Sequence, residues 1–178
     1  MTDARIPPLP AAERTEDQQR LLDQGGSEMH IFTTLVRHTR LYDAFSRFAG
    51  RLLRRSGLPE QVRETLILRT AYLCRAEYEW VQHVRIATGI GMPATVIEAA
   101  GAERPAAPDE HTALLVRAAD QLVRDHDLDD MTWSALREHY DDQQLIELCM
   151  LVGNYAMIAG VLKSLRVQLE DGQSAPNW

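Results

Sequence analysis

The sequence predicts an all-α fold, a single domain built as a helical bundle. Three observations carry this. Apolar residues recur at helical spacing along almost the whole chain, and strand-like alternation is nearly absent. Glycine and proline tend to fall between the periodic segments, where they punctuate helices. The chain has 178 residues, one domain's length, and is long enough to bury a core.

Taken in order, residues 1–12 read as an extended arm, because Pro7, Pro8 and Pro10 interrupt any helix. Glu13 to Gln24 reads as a short polar helix stopped by Gly25 and Gly26. Met29 to Val36 reads as a helix. Leu41 to Arg55 follows, with a stripe of Leu41, Phe45, Phe48, Leu52 and Leu53. Gly57 ends that helix and Pro59 opens the next, which runs to about Cys74 with Val62, Leu66, Ile67 and Leu73 inward. After a break near Arg75 and Ala76, a helix runs from about Glu77 to Thr88 and stops at Gly89 and Gly91. Met92-Pro93 opens another through Ala100. Gly101 to Pro108 holds two prolines and reads as a surface loop.

His111 to His126 is the next amphipathic helix. Asp129 to Thr132 supplies caps for a short helix through His139. The last helix runs from Asp142 to about Val167, and its apolar middle, Leu145 to Leu162, is expected to be the most buried element. Residues 172–178 read as a loose tail. A weak internal echo relates the Pro59 and Asp142 helix starts, with Glu64 and Glu147 at the same offset.

Composition excludes several classes. Net charge is −7, and no cluster of lysine and arginine is interleaved with aromatics, which argues against nucleic-acid binding. No segment is expected to be long and apolar enough for a membrane span. No signal-peptide core stands near the N-terminus, so a cytoplasmic location is expected. The two cysteines, Cys74 and Cys149, lie far apart in apolar stretches and read as buried free thiols. The histidines at 30, 38, 111, 126 and 139 have no partner at metal-ligand spacing, and the acidic run 125–130 reads as helix caps. No metal and no cofactor are expected.

One constellation stands out. Glu64, Glu79 and His83 sit inside otherwise apolar, helix-patterned sequence. A buried carboxylate is costly unless it is paired or hydrogen-bonded. An acid held against an imidazole away from water is the apparatus of general acid–base chemistry. Glu79 and His83 are four apart and share a helix face. Antiparallel packing about the break would bring His83 nearer the level of Glu64 than Glu79. The alternative is a set of surface ion pairs, Glu79 with Arg75 and Glu64 with an arginine of a neighbouring helix, each contributing under about 1 kcal/mol. Tyr155, in Gly153-Asn154-Tyr155, stands mid-helix in apolar sequence and serves either a pocket or the core.

The stretch Glu64 to Gly91, above all Ala76-Glu-Tyr-Glu-Trp-Val-Gln-His83-Val-Arg-Ile-Ala, resembles the carboxymuconolactone decarboxylase / alkylhydroperoxidase-D-like superfamily. The resemblance extends upstream through Ile31 to His38 and downstream through Trp133 to Glu170. Its redox branch carries a glutamate, a C-x-x-C and a histidine four residues on. Glu64 and His83 stand at the glutamate and histidine positions, and Ala76 and Glu79 stand where the cysteines would be. The chain therefore looks like a cysteine-free Glu-Trp-x-x-His branch. Thiol-dependent peroxide reduction needs an attacking and a resolving thiol. Neither Ala76 nor Glu79 supplies one.

The resemblance implies an alkylhydroperoxidase-D-like helical bundle that forms a homo-oligomer, a trimer or hexamer. It also implies decarboxylase, isomerase or lyase chemistry on a small organic acid or lactone. His83 would be the acid/base, with Glu64 and Glu79 modulating it. Tyr78, Trp80 and Tyr155 would wall a substrate pocket. Arg85, two residues beyond His83, points off that face. The alternative is a non-catalytic binding or assembly protein. Residual thiol chemistry at Cys74 is a third reading.

Overall fold

A computed structural model describes residues 3–25 and 27–177. The described residues form nine α-helices and no strand. These are α1 (Glu16–Gly25), α2 (His30–Leu35), α3 (Thr39–Arg54), α4 (Glu60–Leu73), α5 (Glu77–Gly89), α6 (Ala94–Ala100), α7 (Glu110–Arg124), α8 (Asp130–Arg137) and α9 (Asp142–Leu165), with a single 3-10 turn at Ala11–Glu13. The caps follow from sequence. Asp109, Asp129 and Asp141 each accept a hydrogen bond from the backbone N–H three residues on, and Asp141 with Gln144 completes a capping box.

The centre of the fold is α4, which packs on α5, α6, α7 and α9. Every residue from Glu64 to Tyr72 is buried. This corrects the expectation that α9 is the most buried helix. Helix α9 turns one face onto α4 and α7, while Ile146, Met150 and Met157 on the other face remain exposed. Helix α9 is also long and apolar enough by length and composition to cross a membrane, contrary to expectation. Half of its most apolar stretch is buried inside the fold, as in the core helix of a soluble protein. The α3 stripe divides similarly. Leu52 is buried, whereas Leu41 is 62% exposed.

Burying α4 forces its polar side chains to find partners. Arg69 is fully buried. Its Nε and Nη2 donate to the two carboxylate oxygens of Asp120 on α7, at 2.6 and 3.1 Å. Its Nη1 donates to the carbonyls of Ala100 and Ala102, at 3.2 and 2.6 Å. One guanidinium thus ties α4 to α7 and to the end of α6.

The arm is extended and docked rather than free. Leu9 is buried against Leu22, Val36 and Tyr42, and the Arg5 N–H donates to the Leu165 carbonyl. The C-terminal segment is likewise tied down at its start. Glu170 accepts from the Tyr78 hydroxyl at 2.6 Å and the His30 N–H at 2.8 Å, and Gln173 bonds Gln82 at 2.7 Å. The expected stop at Gly26 and the end of the tail at Trp178 lie outside the described residues. Of the two glutamates in the internal echo, Glu64 meets a histidine, whereas Glu147 accepts from Ser56 and the Gly57 N–H.

Arg69→Met is expected to destabilise the protein by about 3 kcal/mol, because Asp120 and two carbonyls lose a fully buried partner. Equilibrium urea unfolding at pH 7 measures this. A loss below about 1 kcal/mol would show that the guanidinium does not hold the bundle.

Candidate active site

Helix α4 ends in a tight turn that sets the angle of α5. The Ala76 N–H donates to the Ala71 carbonyl and the Arg75 N–H to the Tyr72 carbonyl. This is a Schellman motif. Arg75 occupies its left-handed position, with φ of 52°, where glycine is the usual residue. Ala71, Ala76 and Ala159 pack together beneath the turn, so α9 closes on it without a bulky side chain between. The helices then fold back on one another, and His83 comes level with Glu64.

The predicted contact is formed. His83 Nδ1 lies 2.7 Å from Glu64 Oε2, with both side chains buried. A proton on Nδ1 donated to the carboxylate leaves Nε2 as the ring atom able to exchange protons. The Tyr155 ring meets the imidazole edge-on, with centroids 5.0 Å apart and planes at 87°. Burial, and then the charges of Glu64 and Glu79, push the Tyr155 phenol well above its ordinary range, so the hydroxyl keeps its proton.

Glu79 lies one turn before His83 on α5, 3% exposed. Both of its carboxylate oxygens are buried and without a hydrogen-bond partner. Desolvation alone pushes its pKa up to about 9. At neutral pH it is therefore a carboxylic acid, a proton donor rather than an anion. The surface ion-pair alternative does not describe this site. Glu64 pairs with an imidazole inside the fold, and Glu79 is neutral and buried.

The other expected residues are placed elsewhere. The Tyr78 hydroxyl donates to Glu170 and accepts from the Ile31 N–H at 3.3 Å, fastening the C-terminal segment. Trp80 packs beside Tyr72 and against Gly101, where even a Cβ would come within 2.5 Å of the indole. Arg85 is exposed, as its helix position requires. Two polar groups escaped the sequence reading. Asn154 Oδ1 on α9 and Arg63 Nε on α4 are buried without a partner. The signal for Asn154 was available, since it is an amide inside an apolar helix beside Tyr155.

The thiols are poorly suited to peroxide chemistry. Burial pushes both Cys74 and Cys149 above the ordinary thiol range, away from the thiolate. Among the described residues no group of three or more histidine, cysteine or acidic side chains is arranged to hold a metal. A 770 Å³ cleft opens beside the α4–α5 turn, between the end of α9 and the C-terminal segment, and Arg75, Lys163 and Arg166 line it.

Glu79 fixes a sign for pH dependence. Its folded pKa lies above its ordinary value of 4.5, so the folded state holds a proton that the unfolded state releases. Stability is fully present at pH 4 and falls as pH rises from 4.5 towards about 9, by at most about 1.4 kcal/mol per pH unit. Urea unfolding from pH 4 to pH 9 should show this slope, and Glu79→Gln should flatten it.

Residues 39–124 match the carboxymuconolactone decarboxylase family. A search of curated protein sequences finds no match. Among solved structures, the alkylhydroperoxidase core protein from Ralstonia eutropha, described as peroxidase-related, is similar over 93% of each chain, at 20% identity and a TM-score of 0.75. A peroxidase-related protein from Silicibacter sp. covers 97% of this chain and is covered over 98% of its own, at 16% identity and a TM-score of 0.81. A debrominase solved with a tribromopyrrole covers 96% of this chain and 94% of its own, at 15% identity and a TM-score of 0.70. At these identities the likeness is one of fold. The family match spans α3 to α7, and the solved structures share the fold over nearly the whole chain, so the chain is similar to carboxymuconolactone decarboxylase family proteins in its central helices and to the alkylhydroperoxidase core protein in its fold.

Proposed function

We propose that the protein is a cofactor-free acid–base enzyme that acts on a small organic acid or lactone, by decarboxylation, isomerisation or elimination. The observation that carries this is the pairing of two unlike proton carriers in one buried site. His83 is held by Glu64 at 2.7 Å, and Glu79 is kept neutral by desolvation. A carboxyl kept protonated beside an imidazole oriented by a carboxylate offers a donor and an acceptor, which acid and base roles require. Glu64 fixes the imidazole, His83 removes or returns a proton through Nε2, and Glu79 donates to the developing enolate. Tyr155 packs the imidazole in place and offers a neutral hydroxyl. The positions at which the redox branch carries its two cysteines hold Ala76 and Glu79, so thiol peroxidase chemistry is disfavoured. Self-association as a trimer or hexamer belongs to the same proposal.

A second reading, a binding or assembly subunit, is favoured by the low exposure of the cluster. Glu64, Glu79 and His83 are 4%, 3% and 8% exposed. Four surface clefts of 410 to 770 Å³ are lined by other residues.

Hydrogen–deuterium exchange separates the two. A panel of small lactones and carboxylic acids incubated in D2O, read by NMR, should show enzyme-dependent exchange at carbon or product formation. His83→Ala should reduce the rate by about 10² to 10⁴-fold with the helical CD signal unchanged. Glu64→Gln should reduce it less. The rate should also fall as pH rises through about 9, where Glu79 loses its proton. Exchange that is absent across the panel, or unaffected in both His83→Ala and Glu79→Gln, would favour the binding subunit.

A further inference from the structure

Helix α3 carries a charge that the rest of the chain does not answer. Residues 37–55 hold six arginines and one acid, Asp43, a net of +5 in a chain whose total is −7. Arg40, Arg47, Arg51, Arg54 and Arg55 fall within about 100° of one face of the helix. Arg51 has Arg47, Arg54 and Arg55 each one turn away, where like charges repel. Asp43 answers Arg47 at 2.9 Å. Among the described residues no carboxylate pairs with Arg51, Arg54 or Arg55.

This charge borders a cleft. Where α1 packs on α3, a cavity of 410 Å³ opens between them. Its α3 wall carries Arg47, Arg51, Arg54 and Arg55, together with Asp43. Its α1 wall is uncharged, with Gln24 and Gly25. The acids of α1 that could have answered the arginines turn away, and Glu16 and Asp23 line a separate cleft with Arg14 and Arg20.

Two features set donors into this cleft. Gly50 stands one turn before Arg54, and a Cβ there would come 2.7 Å from Arg54 Nη2. The guanidinium therefore lies back along α3 over a bare position, beside the cleft that both residues line. Tyr42 is 3% exposed and also lines the cleft, with its hydroxyl 3.3 Å from where a Cβ on Gly25 would stand. Burial holds that phenol above its ordinary range, so it keeps its proton and can donate.

The number of donors indicates the ligand. A single carboxylate would leave most of this charge unanswered. Three guanidinium forks spaced about 4.5–6 Å along the helix match several oxyanion groups on one molecule. Guanidinium binds phosphate oxygens two at a time, and the phenol adds a neutral donor. A cleft of this size suits a small molecule rather than a macromolecule.

We infer that the cleft between α1 and α3 binds a small molecule bearing a diphosphate, held by Arg51, Arg54 and Arg55 with the Tyr42 hydroxyl at its floor. The inference does not depend on the acid–base reading, whose residues stand on α4, α5 and α9.

Isothermal titration calorimetry with inorganic pyrophosphate tests it. One equivalent per chain should bind saturably, and affinity should fall as NaCl is raised, because exposed charges are screened. Inorganic phosphate and citrate should each bind at least about 10-fold more weakly. Arg51→Gln and Arg54→Gln should each cost at least about 10-fold in affinity, with the helical CD signal retained because both side chains are exposed. Arg40→Gln, on the same face but outside the cleft, should leave affinity within about 3-fold. Gly50→Ala keeps every charge and displaces only the Arg54 guanidinium. It should weaken binding severalfold while the thermal midpoint holds or rises, since alanine favours helix. Absence of saturable pyrophosphate binding, or an equal loss in Arg40→Gln and Arg54→Gln, would overturn the inference. So would citrate binding as tightly as pyrophosphate, or co-flotation with phosphatidylserine vesicles that Arg51→Gln abolishes, since the face would then meet lipid.

Discussion

A helix enclosed on every side can carry an ionisable group only if the surrounding helices answer it, and that constraint organises this fold. Helix α4 places Glu64 and Arg69 in the interior. Arg69 is answered by Asp120 and two carbonyls, which sets α7 and the end of α6 around it. Glu64 is answered by His83, which sets α5. The same helix that anchors the bundle therefore also holds the candidate site, and the cost of desolvating its charges is met by geometry rather than by water.

Glu79 obeys the opposite logic. No donor reaches its carboxylate, so it gives up its charge instead of finding a partner. Two glutamates fifteen residues apart thus meet burial differently, one by finding a hydrogen-bond partner and the other by keeping its proton. The difference arises from the α4–α5 turn. Arg75 in the left-handed region fixes the angle at which α5 leaves, and with it which of Glu79 and His83 meets Glu64.

Helix periodicity and its punctuation located every helix to within a few residues, because proline, glycine and capping aspartates mark ends locally. The His83–Glu64 contact was legible because the break between the helices is short enough to force an antiparallel return. Burial was less legible. Helix α9 is more apolar than α4, yet α4 is the buried one, since enclosure depends on how many neighbours a helix receives and not on its own hydropathy. Arg69 and Asp120 are separated by 51 positions, and nothing local announces such a pair. Tyr78 and Trp80 flank Glu79 in sequence, but neighbours on a helix point about 100° apart. One therefore fastens the C-terminal segment and the other packs on Gly101.

The fastening of Glu170 by Tyr78 and His30 bears on the order in which the molecule assembles. Glu64 and His83 are only 19 residues apart, whereas Tyr78 and Glu170 are separated by 92. Closing the longer loop costs more chain entropy, and its far end is synthesised well after α4 and α5. The α4–α5 hairpin with its buried Glu64–His83 hydrogen bond can form while α7 to α9 are still being synthesised. The segment around Glu170 then arrives as a clasp over a hairpin already made, and α5 is fastened to α2 only once Glu170 has docked on Tyr78 and His30.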